Sequence, residues 1–203
     1  MAVIPCANRC AATITHEPCA GGSYTRAAYV SKYGCSHAEE APIVIETIRF
    51  RLGSSGVVPT LNDAMIYESK TFRVRTCATY EGANRVVVDG IRVSLDPCRS
   101  ETLQLYDYQI THGCSADELP EAQDTIEGVV VHDNHSISLA NDSRQWVGTY
   151  RIYVSDADAA KLDGTKLLVG STGSYKIGGV VRLGRMDSLP YAVASENNWK
   201  FAS

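Results

Sequence analysis

The feature that most constrains this chain is a period of two. From Ala41 onward, apolar residues return at every second position in one segment after another. In Ile43–Leu52, Ile48, Phe50 and Leu52 share one parity while Arg49 and Arg51 take the other. A strand points successive side chains to opposite faces, so this spacing sends the three apolar residues to a core and the arginines to water. Thr71–Tyr80, Thr102–Ile110 and Gln145–Ser155 repeat the scheme.

Turn chemistry divides these runs. Asp89-Gly90 lies inside Arg85–Leu95, and Asp-Gly accepts the positive φ angles of a type I′ turn. A hairpin is predicted there, with Val88 opposite Ile91. A second hairpin is predicted from Ile126–Val131 and Ser136–Leu139, with Asp133-Asn134 at its tip. Residues 170–174 read as the loop joining Lys166–Val169 to Tyr175–Leu183, and Gly178-Gly179 predicts a bulge in the latter. Ser155 predicts the cap of a short helix over Asp156–Leu162, with Asp158 in the capping-box place. Ser115–Asp124, with Pro120, reads as an acidic surface loop.

The pattern amounts to about ten strands and two short helices, with turn signals every eight to twelve residues. It predicts a mainly β fold: an antiparallel β-sandwich of Greek-key, jelly-roll-like form. No repeat of fixed period is visible, so propellers and solenoids are not expected. The ends differ from the middle. Residues 1–40 hold Cys6, Cys10, Cys19 and Cys35 of the seven cysteines, the Gly21-Gly22 pair and few β-branched residues. Within them Ser23–Tyr33 reads as a short helix stopped by Gly34. The expected division is a Cys-rich N-terminal arm or cap (1–40), a β-sandwich body (41–190) and a C-terminal tail (191–203) whose Trp199 and Phe201 dock on a surface.

Nineteen basic residues against 23 acidic ones give a formal charge of -4, which argues against nucleic acid as the main partner. No apolar run approaches the roughly 18 residues of a membrane helix. Met1–Cys10 lacks the basic front and long apolar core of a secretory signal, so reduced thiols are expected.

Cys6, Cys10, His16 and Cys19, with Cys35 and His37 nearby, are the zinc candidates, because four such ligands can hold a tetrahedral ion. Their spacing, C-x3-C and H-x2-C, lacks the paired C-x2-C knuckles of a zinc site. The competing reading makes Cys19 and Cys35 small buried hydrophobes and the rest incidental, and no cofactor is expected. His132 and His135 would face each other across a two-residue turn, as a pair of metal ligands or as a polar surface turn. Asp156-Ala-Asp158 begins like a calcium loop, yet Lys161 and Leu167 stand where Gly and Glu are needed.

No nucleophile elbow, phosphate loop or dinucleotide fingerprint occurs. Glu46, Glu68 and Glu81 lie on or near strands without forming an evident pair. No catalytic residue is assigned, and an enzyme is not expected. A sugar platform would align several aromatics, but Tyr150 shares parity with Trp146 while Tyr153 does not. The general form is similar to that of small β-rich virion proteins. The expectation is therefore a structural assembly protein of a phage virion, a capsid decoration, minor capsid, neck or tail subunit made in the host cytoplasm. Its partners would be further copies of itself, as a homo-oligomer, or other capsid or tail proteins. The alternatives are a carbohydrate- or ligand-binding β-sandwich and a hydrolase assembled from remote residues.

Overall fold

A computed structural model of the chain describes residues 10–37, 42–53, 55–80, 84–108, 121–140 and 143–196. The first barrel consists of β1 (Cys10–Glu17), β2 (Tyr24–His37), β3 (Ile43–Gly53), β4 (Ala64–Tyr67), β5 (Lys70–Tyr80) and β6 (Arg85–Leu95). Its order is β1-β2-β3-β6-β5-β4, and β4 closes it by pairing with β1. The second consists of β7 (Glu101–Asp107), β8 (Asp124–Ala140), β9 (Ser143–Val154), β10 (Lys166–Val169), β11 (Ser174–Val181) and β12 (Tyr191–Glu196). The helix α1 (Asp156–Ala159) lies between β9 and β10. Here the order is β7-β8-β9-β12-β11-β10, and β10 closes on β7. The chain divides accordingly into two units: Met1–Ala38 with Val44–Val93 and Arg185–Asp187, and Glu39–Ile43 with Ser94–Gly184 and Ser188–Ser203.

The parity of β3 is as read: Ile48, Phe50 and Leu52 are buried. The expected mainly β, antiparallel fold is present as two closed barrels, and the finer sandwich form is not what these strand orders describe. Alternation reports only that one face is covered, and a sheet closed on itself covers that face as well as a second sheet would. Residues 10–37 are not a helix-bearing arm. They form β1 and β2, and Ala28 and Val30 of the supposed helix fill the first barrel, tertiary packing overriding the helical propensity of alanine. The start of the expected tail, Tyr191–Glu196, is β12, and 197–203 lie outside the described residues.

The Asp89-Gly90 hairpin is absent. β6 runs through it, with Asp89 opposite Thr76 and Gly90 opposite Val74. A Cβ on Gly90 would come 3.0 Å from Phe72 Cβ, 3.2 Å from Ile48 Cγ2 and 3.2 Å from Phe50 Cε2. The two phenyl rings meet edge to face, 6.1 Å apart, and only a residue without a side chain leaves them room. Asp89 accepts hydrogen bonds from Arg49 Nη2 (3.0 Å) and Thr76 Oγ1 (3.0 Å). The dipeptide thus serves packing and an ion pair. β8 likewise continues through Asp133-Asn134, which mark a bulge, and Asp133 takes the Arg151 guanidinium (3.0 Å). Other local readings match the structure. Ser155 accepts the Asp158 N–H (3.1 Å) and donates its hydroxyl to Asp158 Oδ2 (2.8 Å). The Gly170 N–H meets the Gly173 carbonyl (2.9 Å), and the bulge falls between Ile177 and Gly179.

The barrels share more than strand order. Bulges interrupt β2 between Lys32 and Gly34 and β8 between His132 and Asn134. They also interrupt β5 between Val74 and Thr76 and β11 between Ile177 and Gly179. These are equivalent strands, so the ladders can be aligned residue by residue. Phe50 then corresponds to Ile152, Met65 to Leu168, Phe72 to Tyr175, Val74 to Ile177 and Gly90 to Ala194. All of these positions belong to the interiors. The repeat is one of register and volume, which a search for repeated letters does not find.

Gly90→Ala is expected to lower the unfolding free energy by about 1–3 kcal/mol, the usual cost of overpacking. Gly179→Ala, with nothing within 4 Å of the new methyl, should change it by less than about 0.5 kcal/mol. Denaturant midpoints of the two variants check this.

Candidate functional site

In each barrel the third and fourth strands are not neighbours, so the connection between them crosses the barrel end. In the first barrel this is the loop between β3 and β4. It leaves Val57 and Val58 each 43% exposed and Leu61 60% exposed, while Pro59 is buried. Apolar side chains on a loop would ordinarily fold under it. Here the backbone is held so that they remain outside.

Two polar anchors hold it. Arg26 on β2 has the inward parity of Ala28 and Val30, and its guanidinium meets the loop. Nη1 donates to the Val57 carbonyl (2.6 Å), and Nη2 donates to the carbonyls of Gly53 (3.1 Å) and Ser55 (2.9 Å). Burial pulls its pKa below the ordinary arginine value. Gly56, at φ +100°, takes a left-handed turn beside this guanidinium that glycine adopts without strain.

The second anchor is Asp63, 1% exposed, at the end of the loop. Its carboxylate accepts from the Thr60 N–H (2.8 Å), Thr60 Oγ1 (3.1 Å), the Cys19 N–H (2.8 Å) and His16 Nε2 (2.9 Å). Its backbone N–H donates to the Thr60 carbonyl (3.2 Å), and its carbonyl accepts from Val74 N–H (2.9 Å). Burial pushes the carboxyl pKa up, but the hydrogen bonds from Thr60, His16 and Cys19 outweigh it and hold the group well below the usual carboxylate range. His16, fully buried on β1, donates its Nε2–H to Asp63, and its Nδ1 has no partner among the described residues.

The second barrel closes the same end differently. By register, His16 corresponds to Leu105 and Arg26 to Ile126. The connection after β9 carries α1 and turns Ala159 and Leu162 into the core that holds Leu105 and Ile126. One barrel end is sealed by apolar burial. The other is latched by a guanidinium and a carboxylate, and the apolar residues of its loop are presented outward.

Of the residues named as zinc candidates, His16 and Cys19 belong to this latch, through Nε2 and a backbone N–H, and the others fall elsewhere. Cys10 and His16 stand near opposite ends of β1. Cys19 and Cys35 are exposed, and Cys6 lies outside the described residues. Among the described residues no three His, Cys, Asp or Glu side chains are gathered as metal ligands. His132 and His135 sit on one continuous strand with no turn between them, and the His132 ring stands edge-on to Tyr150 at 5.1 Å. Glu46 is held by Lys70 (2.7 Å) and Arg92, and Glu68 by Lys32 (2.8 Å). Asp156 and Asp158 occupy the first turn of α1. Arg26, Asp63 and the exposed loop were not singled out. The signal was Val57, Val58 and Leu61 within a Gly-, Ser- and Pro-bearing segment that has no strand period.

Comparison with protein-family models, with curated proteins and with solved structures gives no match in any of the three.

Asp63→Ala strips a buried hub and is expected to cost about 3 kcal/mol, the usual penalty for breaking such a pair, and to open the loop to limited proteolysis. The folded pKa of Asp63 is depressed, so its contribution is fully present above the unfolded value near about 4 and is lost as pH falls below it. Asp63→Asn should therefore show a shallower fall in stability between about pH 4 and 2, measured by denaturant melts.

Proposed function

We propose that this chain is a structural assembly protein of a phage virion, a decoration, minor capsid, neck or tail subunit, which works through protein–protein contacts. The observation that carries this reading is the latched apolar loop. Val57, Val58 and Leu61 keep about half of their surface exposed, so burying the remainder against a partner contributes roughly 1 kcal/mol each. The anchors at Arg26 and Asp63 have already ordered the backbone, so association would cost little further loop entropy. The barrel interiors support a scaffold. They are filled by side chains such as Phe50, Met65, Leu103 and Ile152, as in other small closed barrels. The net charge of -4 suits a position away from the genome. The carbohydrate reading has less support, because Tyr150 packs edge-on to Tyr175 (4.9 Å between centroids) instead of lying flat in an aromatic platform.

The combined variant Val57→Ser, Val58→Ser, Leu61→Ser should melt within a few degrees of the parent, since its targets are exposed. It should also lose association with its own copies or with the particle, read by sedimentation velocity and by incorporation into assembled virions. Unchanged association would overturn the reading.

A further inference from the structure

The first barrel carries a second feature, independent of the exposed loop side chains. A cavity of about 580 Å³ opens over β1, β2, β3 and the start of β6. Among the described residues its floor is small and apolar, with Ala12, Ala28 and Leu52. Its walls carry Tyr29, which is 59% exposed, and two arginines, Arg51 and Arg85. Tyr29 and Arg51 are direct cross-strand partners, so the ring and the guanidinium stand side by side.

The arginines are unlike others of this barrel. Arg49 holds Asp89 and Arg92 holds Glu46. Among the described residues Arg51 meets no carboxylate, and its Nη1 is shielded from solvent and finds no hydrogen-bond partner among them. Arg85 lies over the Tyr80 ring at 5.2 Å and likewise meets no carboxylate among them. A guanidinium donor enclosed without an acceptor is costly, and a carboxylate is the partner that matches its geometry.

We propose that this groove binds an acidic extended segment, Asp117-Glu118-Leu119-Pro120-Glu121, of a second copy of this chain. The argument is complementarity. The segment places three carboxylates around one leucine and one proline. Proline disfavours helix in the residue before it, which suits an extended ligand. Leu119 suits the alanine floor, and the carboxylates suit Arg51 and Arg85. The volume lies within the range of peptide-sized and drug-sized sites and is far larger than a lone phosphate needs. The donor segment joins β7 to β8 and the acceptor groove belongs to the first barrel, so two different surfaces of the chain meet in the contact. The inference names a partner for the assembly reading and rests on it.

The test uses the full-length protein and a fluorescein-labelled peptide of residues 115–122. The peptide should bind with an affinity that weakens as salt rises. Arg51→Glu combined with Arg85→Glu, or the milder Arg51→Gln if the former misfolds by circular dichroism, should weaken binding at least tenfold. In sedimentation velocity, Arg51→Glu/Arg85→Glu and Glu118→Arg/Glu121→Arg should each reduce self-association, and mixing the two should restore it. Equal binding by a peptide with the changes Asp117→Asn, Glu118→Gln and Glu121→Gln would overturn the proposal. So would displacement by inorganic phosphate as effective as by unlabelled peptide, or charge variants that sediment like the parent. Loss of association in the Val57, Val58, Leu61 variant together with absent peptide binding would remove the groove proposal alone.

Discussion

A carboxylate enclosed by protein must be met by donors or it will not stay charged, and Asp63 is met by four. That requirement organises the end of the first barrel. It draws the turn after β1 in through the Cys19 N–H, β1 through His16, and the loop through Thr60. Arg26 adds the carbonyls of Gly53, Ser55 and Val57 from the other side. Once the backbone is fixed by these bonds, the apolar side chains of the loop have no interior place left to occupy. Their exposure follows from the polar latch beneath them.

The second barrel shows what the alternative looks like. Leu105 and Ile126 stand in the corresponding places, where no buried carboxylate or guanidinium latches the connection among the described residues. The connection instead buries Ala159 and Leu162 and caps its own short helix through Ser155 and Asp158. The same strand order and the same bulges therefore carry two different solutions at one end. This difference leaves Val57, Val58 and Leu61 exposed on the first barrel, and it rests on only a few interior positions.

Legibility varied by scale. Parity was legible wherever it was strict. Ile48, Phe50 and Leu52, the Ser155 cap, the Gly178-Gly179 bulge and the loop at 170–173 were all readable from neighbours in the chain. Asp89-Gly90 misled because its glycine answers to Phe50 and Phe72, residues far away in sequence. Residues 24–37 misled because Ala28 and Val30 fill a barrel once β1 and β3 flank β2. The latch was invisible for the same reason: Asp63 lies 47 residues from His16 and 44 from Cys19.

The amino-acid order alone determined which side chains must be buried along each strand, because a period of two allows only one assignment of faces. It also determined the local stops and caps, whose partners are a few residues away. Whether the strands closed into barrels, which pairs they formed and where the charged groups met were decided only in the tertiary structure. Those outcomes depend on contacts between distant segments, and no periodicity within a single segment encodes its partner.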